Sequence, residues 1–402
     1  MKDFSEQLRI NIELNYNNMV KQKIHLISVT YHNYGSLLQT FALQTAIRNL
    51  GFETEIVSYK ENKIKKINRL LNFEYLTTRF KMVLKKIKIY KKGEKYRQAI
   101  ESRDDKFTRF INSHFSLGKS YTDLDTLAAD SKDWEIALLG SDQVWHPINY
   151  EMHYFTLEFV DKSVRKIAYA PSFGVSKIPI HYQEYYKSFL QEFDYLSCRE
   201  ISGVELISKI ASREALHVCD PTMLLNSEEW IALASSNIYN KPYVFVYLMG
   251  NNPRHRGIAK SYAEMKKLKI VALTHIDEFV DSDENYADYT PFNVDPFDFL
   301  SLIKNSSAVI TDSFHASVFS LLFHKQFFTF NRFECGHGSS TTSRIDSLLS
   351  IAGTSDHKIR NGADVNDLLK INIPTWRVID ENIAKFRDLS LNYLTTVLYE
   401  AK

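Results

Sequence analysis

Four short polar sets in this 402-residue chain combine residue types that can do chemistry, and each follows an apolar run. The fullest begins at Val309: Asp312, Ser313 and His315 come straight after VIT and open a segment continued by Ser317, Val318 and Phe319. An imidazole in the first turn of a helix, beside N–H groups with no partner inside that helix, is placed to pass a proton near a bound anion. A capped helix with His315 hydrogen-bonded in the core is the plain alternative. The second set is His32, Asn33, Tyr34, Gly35 and Ser36, where Gly35 lets a ligand approach the backbone at another helix start. Turn chemistry alone would also account for Asn33 and Gly35. In the third, Gly140, Ser141, Asp142 and Gln143 precede Trp145, a carboxylate and an amide beside an aromatic platform, as a sugar site requires; a capping turn with Trp145 in the core is equally readable. The fourth is SCRE, in which Arg199 ends an apolar run. Its fork suits a carboxylate or phosphate, and Glu200 offers an internal partner instead. Asp220-Pro221-Thr222, after Val218-Cys219, reads as a strand end entering a hinge, structural rather than catalytic. His324, Cys335 and His337 lack the spacing of a tetrahedral metal site.

These sets can cooperate only if regular elements carry them to one place. Ile24–Val29 reads as a buried strand, Ser36–Leu50 as a helix closed by Gly51, and Phe52–Tyr59 as a second strand: a βαβ unit, hence a parallel sheet. Trp134–Leu139, Lys166–Ala170 and Tyr195–Arg199 read as further strands. The alternation recurs downstream, with strands at Tyr243–Met249, Lys269–Thr274, Ala308–Thr311 and Gln326–Phe330. Helices are expected at 256–268, Pro296–Lys304, Ser313–Phe323 and Arg344–Ile351. A final helix, Val378–Tyr399, is expected to pack back across the first unit. Two open parallel sheets bind ligands outside the carboxyl ends of their strands, which is where all four polar sets fall.

Composition excludes other classes. A 44% hydrophobic content with 26 Phe and 23 Tyr argues against a disordered chain. No apolar stretch approaches the ~20 residues of a membrane span. Three scattered cysteines without CxxC spacing predict neither a disulfide scaffold nor structural zinc, and fit a reducing cytoplasm. The net charge of +2 conceals a segregation: residues 60–97 hold 14 Lys or Arg against Glu61, Glu74 and Glu94. Apolar residues interleave with those bases at helical spacing, which reads either as a solvated helical insertion or as a contact with an anionic membrane face. No nucleic-acid motif accompanies them.

The segments NYGSLLQTFALQ (33–44), LLGSDQVW (138–145), KIAYAPSFG (166–174), SCRE (197–200), DPTMLLNSEEW (220–230) and TDSFHASVFSLLFHKQFFTF (311–330) resemble, in order, the polysaccharide pyruvyl transferases. The resemblance implies an α/β fold of two Rossmann-like domains in a GT-B-like arrangement around an interdomain cleft. One domain is expected over 1–200, with a basic insertion at about 60–130 and completed by 376–402; the other is expected over 201–375. It also implies transfer of pyruvate from phosphoenolpyruvate onto two sugar hydroxyls, with no further cofactor and no metal. His315 is then the general acid, Arg199 the donor anchor and Asp142 a base. The sets 32–36 and 140–145 would hold the acceptor, and the helix starting near Ser313 would support the phosphate. Some members carry an Arg where this chain has Ser313, so Lys325, Arg332 and Arg344 become candidate donor cations. The implied acceptor is a galactose-type sugar or lipid-linked oligosaccharide in capsule or exopolysaccharide assembly, ketalised at positions 4 and 6. The expected setting is cytoplasmic; peripheral membrane contact through 60–97 and the absence of a nucleic-acid partner are read from the basic stretch itself, which the resemblance does not cover. A nucleotide-sugar glycosyltransferase of the same architecture, or a membrane- or polymer-binding module built on the basic stretch, are the competing readings.

Overall fold

Apolar runs such as Ile24–Ile27 and Ile136–Leu139 lack polar alternation and therefore need cover on both faces. The fold, a computed structural model describing residues 22–60, 88–147, 153–275, 279–332 and 342–400, supplies that cover. Strands β1 (Lys23–Ile27), β2 (Glu53–Tyr59), β3 (Leu117–Tyr121), β4 (Ile136–Leu139) and β5 (Arg165–Ala168) form one sheet ordered β3-β2-β1-β4-β5. Every neighbouring pair in it is parallel. A short parallel pair, β6 (Ser197–Cys198) and β7 (Leu216–His217), continues from it through a bridge between Ile167 and Tyr195. The division expected at residue 200 thus falls inside a strand–helix–strand unit. Strands β8 (Tyr243–Tyr247), β9 (Lys269–Ala272), β10 (Ala308–Thr311), β11 (Gln326–Phe330) and β12 (Lys358–Ile359) form the second sheet, ordered β12-β11-β10-β8-β9 and parallel throughout.

Both sheets reverse direction of winding once, between β1 and β4 and between β10 and β8. These switch points open a crevice at the strand C-termini, because the helices on either side depart to opposite faces. The helices of the first half are α1 (Tyr34–Asn49), α2 (Glu94–His114), α3 (Leu124–Ser131), α4 (Ile180–Gln191) and α5 (Ile201–Ala211). Those of the second are α6 (Ser227–Leu233), α7 (Pro253–Lys266), α8 (Pro296–Lys304), α9 (Phe314–Leu322), α10 (Thr342–Ala352), α11 (Val365–Lys370) and α12 (Trp376–Tyr399).

The expected strands and helices are present, with boundaries shifted by a residue or a few: most strands are trimmed, and several helices start earlier. Trimming is greatest at Tyr195–Arg199, where only Ser197–Cys198 pairs as strand. Helices α2 and α3 fall within the insertion expected to be helical at about 60–130, whereas helices α4, α5, α6 and α11 and strands β3, β7 and β12 were not foreseen.

Helix α1 is buried on nearly every side because it is wedged between the sheets. Tyr34 stacks on Phe299 of α8 at 5.1 Å, and Phe41 meets Phe297 and Trp230 at 5.5 and 5.9 Å. Full burial of a side chain like Phe299 contributes roughly 1.5–3 kcal/mol, so the two halves share one apolar core. Helix α2 straps them further. Its buried Arg103 donates to the carbonyls of Phe292 (3.1 Å), Thr274 (3.3 Å) and His275 (3.1 Å), and Lys106 pairs with Asp298 at 2.7 Å. Helix α12 crosses back to the first sheet as expected: Tyr393 donates to Ala168 O (3.1 Å), Arg165 to Val397 O (2.9 Å), and Tyr399 packs on Phe52.

Of the basic stretch, residues 61–87, including Lys85 and Lys86, lie outside the described residues, as do Cys335 and His337. Lys92 belongs to no free lysine face: it pairs with Glu284 at 2.8 Å and lies over the Phe279 ring. Among the described residues no helix is long and apolar enough to cross a membrane, and no group of three His, Cys, Asp or Glu could hold a metal ion.

The first sheet carries its own acid sensitivity. His25 in β1 is buried and stacked on Trp134 at 4.2 Å. Burial pulls its imidazole down to about 4, with Glu55 offsetting part of the effect. The unfolded chain binds this proton below about 6.5, so the associated stability is complete above that pH and is lost as pH falls towards 4. His25→Phe, which keeps the stack, is expected to flatten this limb in urea unfolding measured from pH 7 to 4. Parallel profiles for wild type and variant would contradict the assignment.

Candidate active site

The loops leaving β1, β4, β8 and β10 converge at the two switch points. After β10, Ser313 caps α9 by accepting from Ala316 N (3.4 Å), which places His315 in the first turn. After β1, Asn33 caps α1 by accepting from Ser36 N (3.2 Å), which places Gly35 in the first turn of that helix. The two turns touch. A Cβ on Gly35 would lie 2.0 Å from His315 Nδ1 and 2.8 Å from its Cβ, so only glycine admits the imidazole there. Gly35→Ala should leave helix content intact, since alanine favours helices, yet displace the imidazole and lower turnover by about 10²-fold, the effect of a 1 Å misplacement. Circular dichroism and steady-state kinetics check this; unchanged turnover would show that the contact does not matter.

His315 Nε2 lies 3.6 Å from Asp220 Oδ2. The same oxygen receives Arg199 Nη1 at 2.5 Å, while Oδ1 accepts from the Thr222 backbone N–H (3.0 Å) and hydroxyl (2.7 Å). Burial alone would raise the Asp220 carboxyl, but His315 and Arg199 overcome it and hold the group well below the usual carboxylate range. Asp220 is therefore the pivot between acid and anchor. It was read from the sequence as structural. The missed signal was an acid directly after the apolar pair Val218-Cys219, where an arginine emerging from a neighbouring strand needs a buried counter-charge.

Arg199 does not use Glu200 as its partner. Glu200 accepts instead from Ser172 Oγ and Phe173 N, both at 2.9 Å, and fixes the 172–174 turn. Beyond Asp220, Arg199 has Asp142 Oδ1 at 3.7 Å from Nη2, with Nε and Nη2 lacking hydrogen-bond partners among the described residues. Its guanidinium lies 4.7 Å from the Phe314 ring, and that of Arg344, from α10, lies 5.7 Å from the same ring. Burial, and then the neighbouring Arg199, pull Arg344 down to about 9 despite Asp142 and Glu200. Its Nε also lacks a partner among the described residues. Two buried guanidiniums flank one ring, and the nearby carboxylates do not fully satisfy them.

Asp142 is less a base than a brace. It sits at φ 82°, accepts from Gln143 N (2.8 Å), Ser36 Oγ (2.5 Å) and Tyr31 Oη (3.5 Å), and is 6% exposed. Burial opposes its ionisation, but Arg199, His315 and the Ser36 hydroxyl keep the carboxyl low, a poor proton acceptor.

Beside this cluster a cavity of ≈ 970 Å³ lies between the strand ends of β1, β2 and β8, with His32, Asn33 and Gln143 among its lining residues. His32 also pairs with Asp104 (3.1 Å). Arg332 reaches the edge through Met249 Sδ (3.3 Å) and lies 3.8 Å from Asp312, whose carboxylate accepts from Met249 N and Gly250 N.

Four expected site residues are elsewhere engaged. Trp145 is 2% exposed among Phe173, Phe189 and Phe193 and donates to Phe155 O, so it offers no sugar platform. Tyr34 is consumed by the stack on Phe299. Gly140 continues the strand pairing through Ile27 O; Ser141, by contrast, donates to Ala170 O at 2.7 Å and also reaches Asp220 Oδ2 at 3.4 Å, which places it in the cluster. Lys325 follows the C-terminal end of the nine-residue α9, roughly 14 Å along the axis from its first turn at 1.5 Å per residue.

Solved structures share this fold at low identity. A UDP-GlcNAc 2-epimerase from Neisseria meningitidis bound to UDP-GlcNAc matches with TM-score 0.53 and 8% identity, over 94% of this chain and 99% of that one. A glycosyltransferase from Rickettsia africae matches with TM-score 0.51 and 10% identity, over 95% and 100%. The architecture is accordingly GT-B, two α/β domains with parallel sheets. No curated protein sequence matches the chain. The family model for polysaccharide pyruvyl transferase covers residues 33–332, from the Asn33 cap of α1 through His315 to Arg332, and so spans Asp142, Arg199, Asp220 and His315 but neither Tyr31 nor Arg344. By that match the chain belongs to the polysaccharide pyruvyl transferase family.

Proposed function

We propose that this transferase takes phosphoenolpyruvate as donor and closes its pyruvyl group as a ketal on two hydroxyls of one sugar. The observation that carries the reading is the set of buried guanidinium nitrogens without hydrogen-bond partners among the described residues, Nε and Nη2 of Arg199 and Nε of Arg344, beside His315 and the start of α9, with Arg344 resisting its own charge. A small anion bearing a carboxylate and a phosphate supplies the acceptors those nitrogens lack. Arg199 and Arg344 hold and neutralise the donor, and the α9 N-terminus favours its phosphate. His315 gives a proton to C3 of the enol, which makes C2 electrophilic. The oxygen of one sugar hydroxyl bonds to C2, the C2–O bond to phosphate breaks, and the second hydroxyl closes the ring. Two hydroxyl protons leave; one is balanced by the proton on C3 and the other ends on phosphate. Asp220 orients the acid and the anchor together.

The acceptor is proposed to be a galactose-type residue, ketalised at positions 4 and 6, in a capsule or exopolysaccharide precursor assembled in the cytoplasm. Peripheral membrane contact rests on the charge of residues 60–97 alone, and Lys92, held by Glu284, takes no part in it. Incubating the chain with phosphoenolpyruvate and a panel of galactosides and lipid-linked glycans tests the reading. Phosphate release matched by a pyruvyl-bearing glycan in mass spectrometry supports it; turnover of a nucleotide sugar without response to phosphoenolpyruvate refutes it.

A further inference from the structure

The wall of the cleft carries an aromatic residue that none of the polar sets includes. Tyr31 is 58% exposed and lines the ≈ 970 Å³ cavity. It is not a loose surface ring. Asn33 N donates to Tyr31 O at 2.8 Å, closing a tight turn. Its hydroxyl reaches inward to donate to Asp142 Oδ2 at 3.5 Å, against a carboxylate that is itself buried. That carboxylate, and then burial, raise the phenol above its ordinary value, so it remains a donor. The ring is thus pinned at its far end and open along its body.

The cavity is at the top of the range of roughly 300–1,000 Å³ for small-molecule sites, larger than an enol phosphate needs. Its other walls are aromatic at Tyr59, Tyr154 and Phe155 and polar at Asn33 and Lys60. Aromatic faces with a few hydrogen-bonding groups at the edge suit a pyranose, which has an apolar C–H face and a rim of hydroxyls. We infer that Tyr31 is the acceptor platform: a positioning residue whose ring stacks on the C–H face of the acceptor pyranose and turns two of its hydroxyls towards His315 and Arg199. Asp142 couples the two substrates, because Oδ2 holds Tyr31 and Ser36 while Oδ1 faces Arg199 at 3.7 Å. The inference rests on the reading above that the donor occupies the cation cluster.

The experiment uses the full chain, with methyl β-galactopyranoside and uridine as probes in saturation-transfer NMR, and steady-state kinetics on the galactoside. Tyr31→Ala should abolish saturation of the galactoside and raise its KM about tenfold, the upper end of what an aromatic contact contributes, with the KM for phosphoenolpyruvate unchanged. Tyr31→Phe should restore the acceptor KM, because the ring remains. An unchanged acceptor KM in Tyr31→Ala, an equal rise in both KM values, or selective loss of uridine saturation would overturn the assignment. A wild-type chain that does not consume phosphoenolpyruvate but shows Tyr31-dependent galactoside saturation would sink the donor reading and leave the platform standing.

Discussion

Replacing His315 by alanine lowers the turnover of pyruvyl transfer by about 10²–10⁴-fold, the usual contribution of a positioned general acid, while thermal melting moves by only a few degrees. The separation of the two effects follows from the contacts. His315 Nε2 stands 3.6 Å from Asp220 Oδ2 and makes no closer hydrogen bond. Removing the ring leaves Asp220 still held by Arg199 and Thr222, so no buried charge loses its last partner. The KM for phosphoenolpyruvate should change little, because the anion is held by guanidiniums rather than by the imidazole. Phosphate-release kinetics and calorimetry on the same preparation check both halves. Retained turnover, or loss of folding, would remove His315 from the role.

Arg344→Met has the opposite signature. Its charge is buried beside Arg199, and its lowered pKa marks a folded state that resists that charge. A guanidinium nevertheless keeps its proton at neutral pH, so without substrate it costs stability, and an anion relieves that cost. Methionine retains much of the arginine's aliphatic bulk and removes the charge that lies near Phe314. The variant is therefore expected to melt at or above the wild-type temperature without ligand. It should also lose most of the stabilisation that phosphoenolpyruvate gives the wild type. Charge-assisted hydrogen bonds contribute about 1.5–3 kcal/mol, so donor affinity should fall about 10- to 150-fold. Melting scans with and without phosphoenolpyruvate decide it. A variant that melts well below wild type yet keeps the full ligand shift would mean that Arg344 is a structural cation.

The parts of the site visible in the sequence were those at strand ends. Short apolar runs such as Trp134–Leu139 and Ala308–Thr311 announce buried parallel strands, and whatever polar residues follow them must surface at the crevice. That logic located Asp142, Arg199 and His315, and the helical runs after Gly35 and Ser313 located the two turns that meet there. Partnership was not visible. Which carboxylate answers Arg199 depends on how β6 and the 218–222 segment sit together, so the adjacent Glu200 was the partner the sequence offered while Asp220 read as structural. Exposure was not visible either. Trp145 and Tyr34 carry the same letters as sugar-stacking aromatics but are locked in cores, whereas Tyr31 was passed over as an ordinary loop residue. Lys325 seemed close because it shares a segment with His315, and the length of α9 separates them. Helix α2 lies in the insertion expected to be helical, but its role was not visible: the bases of 60–97 drew the reading towards solvent or membrane, whereas Arg103, Phe107 and Phe110 form a buried face.

Proton delivery to the donor's methylene carbon is the step on which the account turns. Run in D₂O with phosphoenolpyruvate and an accepted glycan, the wild-type reaction should yield a ketal methyl group carrying a single deuterium, with one phosphate released per ketal formed, and His315→Ala should slow both together. A product without deuterium in that methyl group, or glycan modification that proceeds from a nucleotide sugar with no phosphoenolpyruvate consumed, would contradict it.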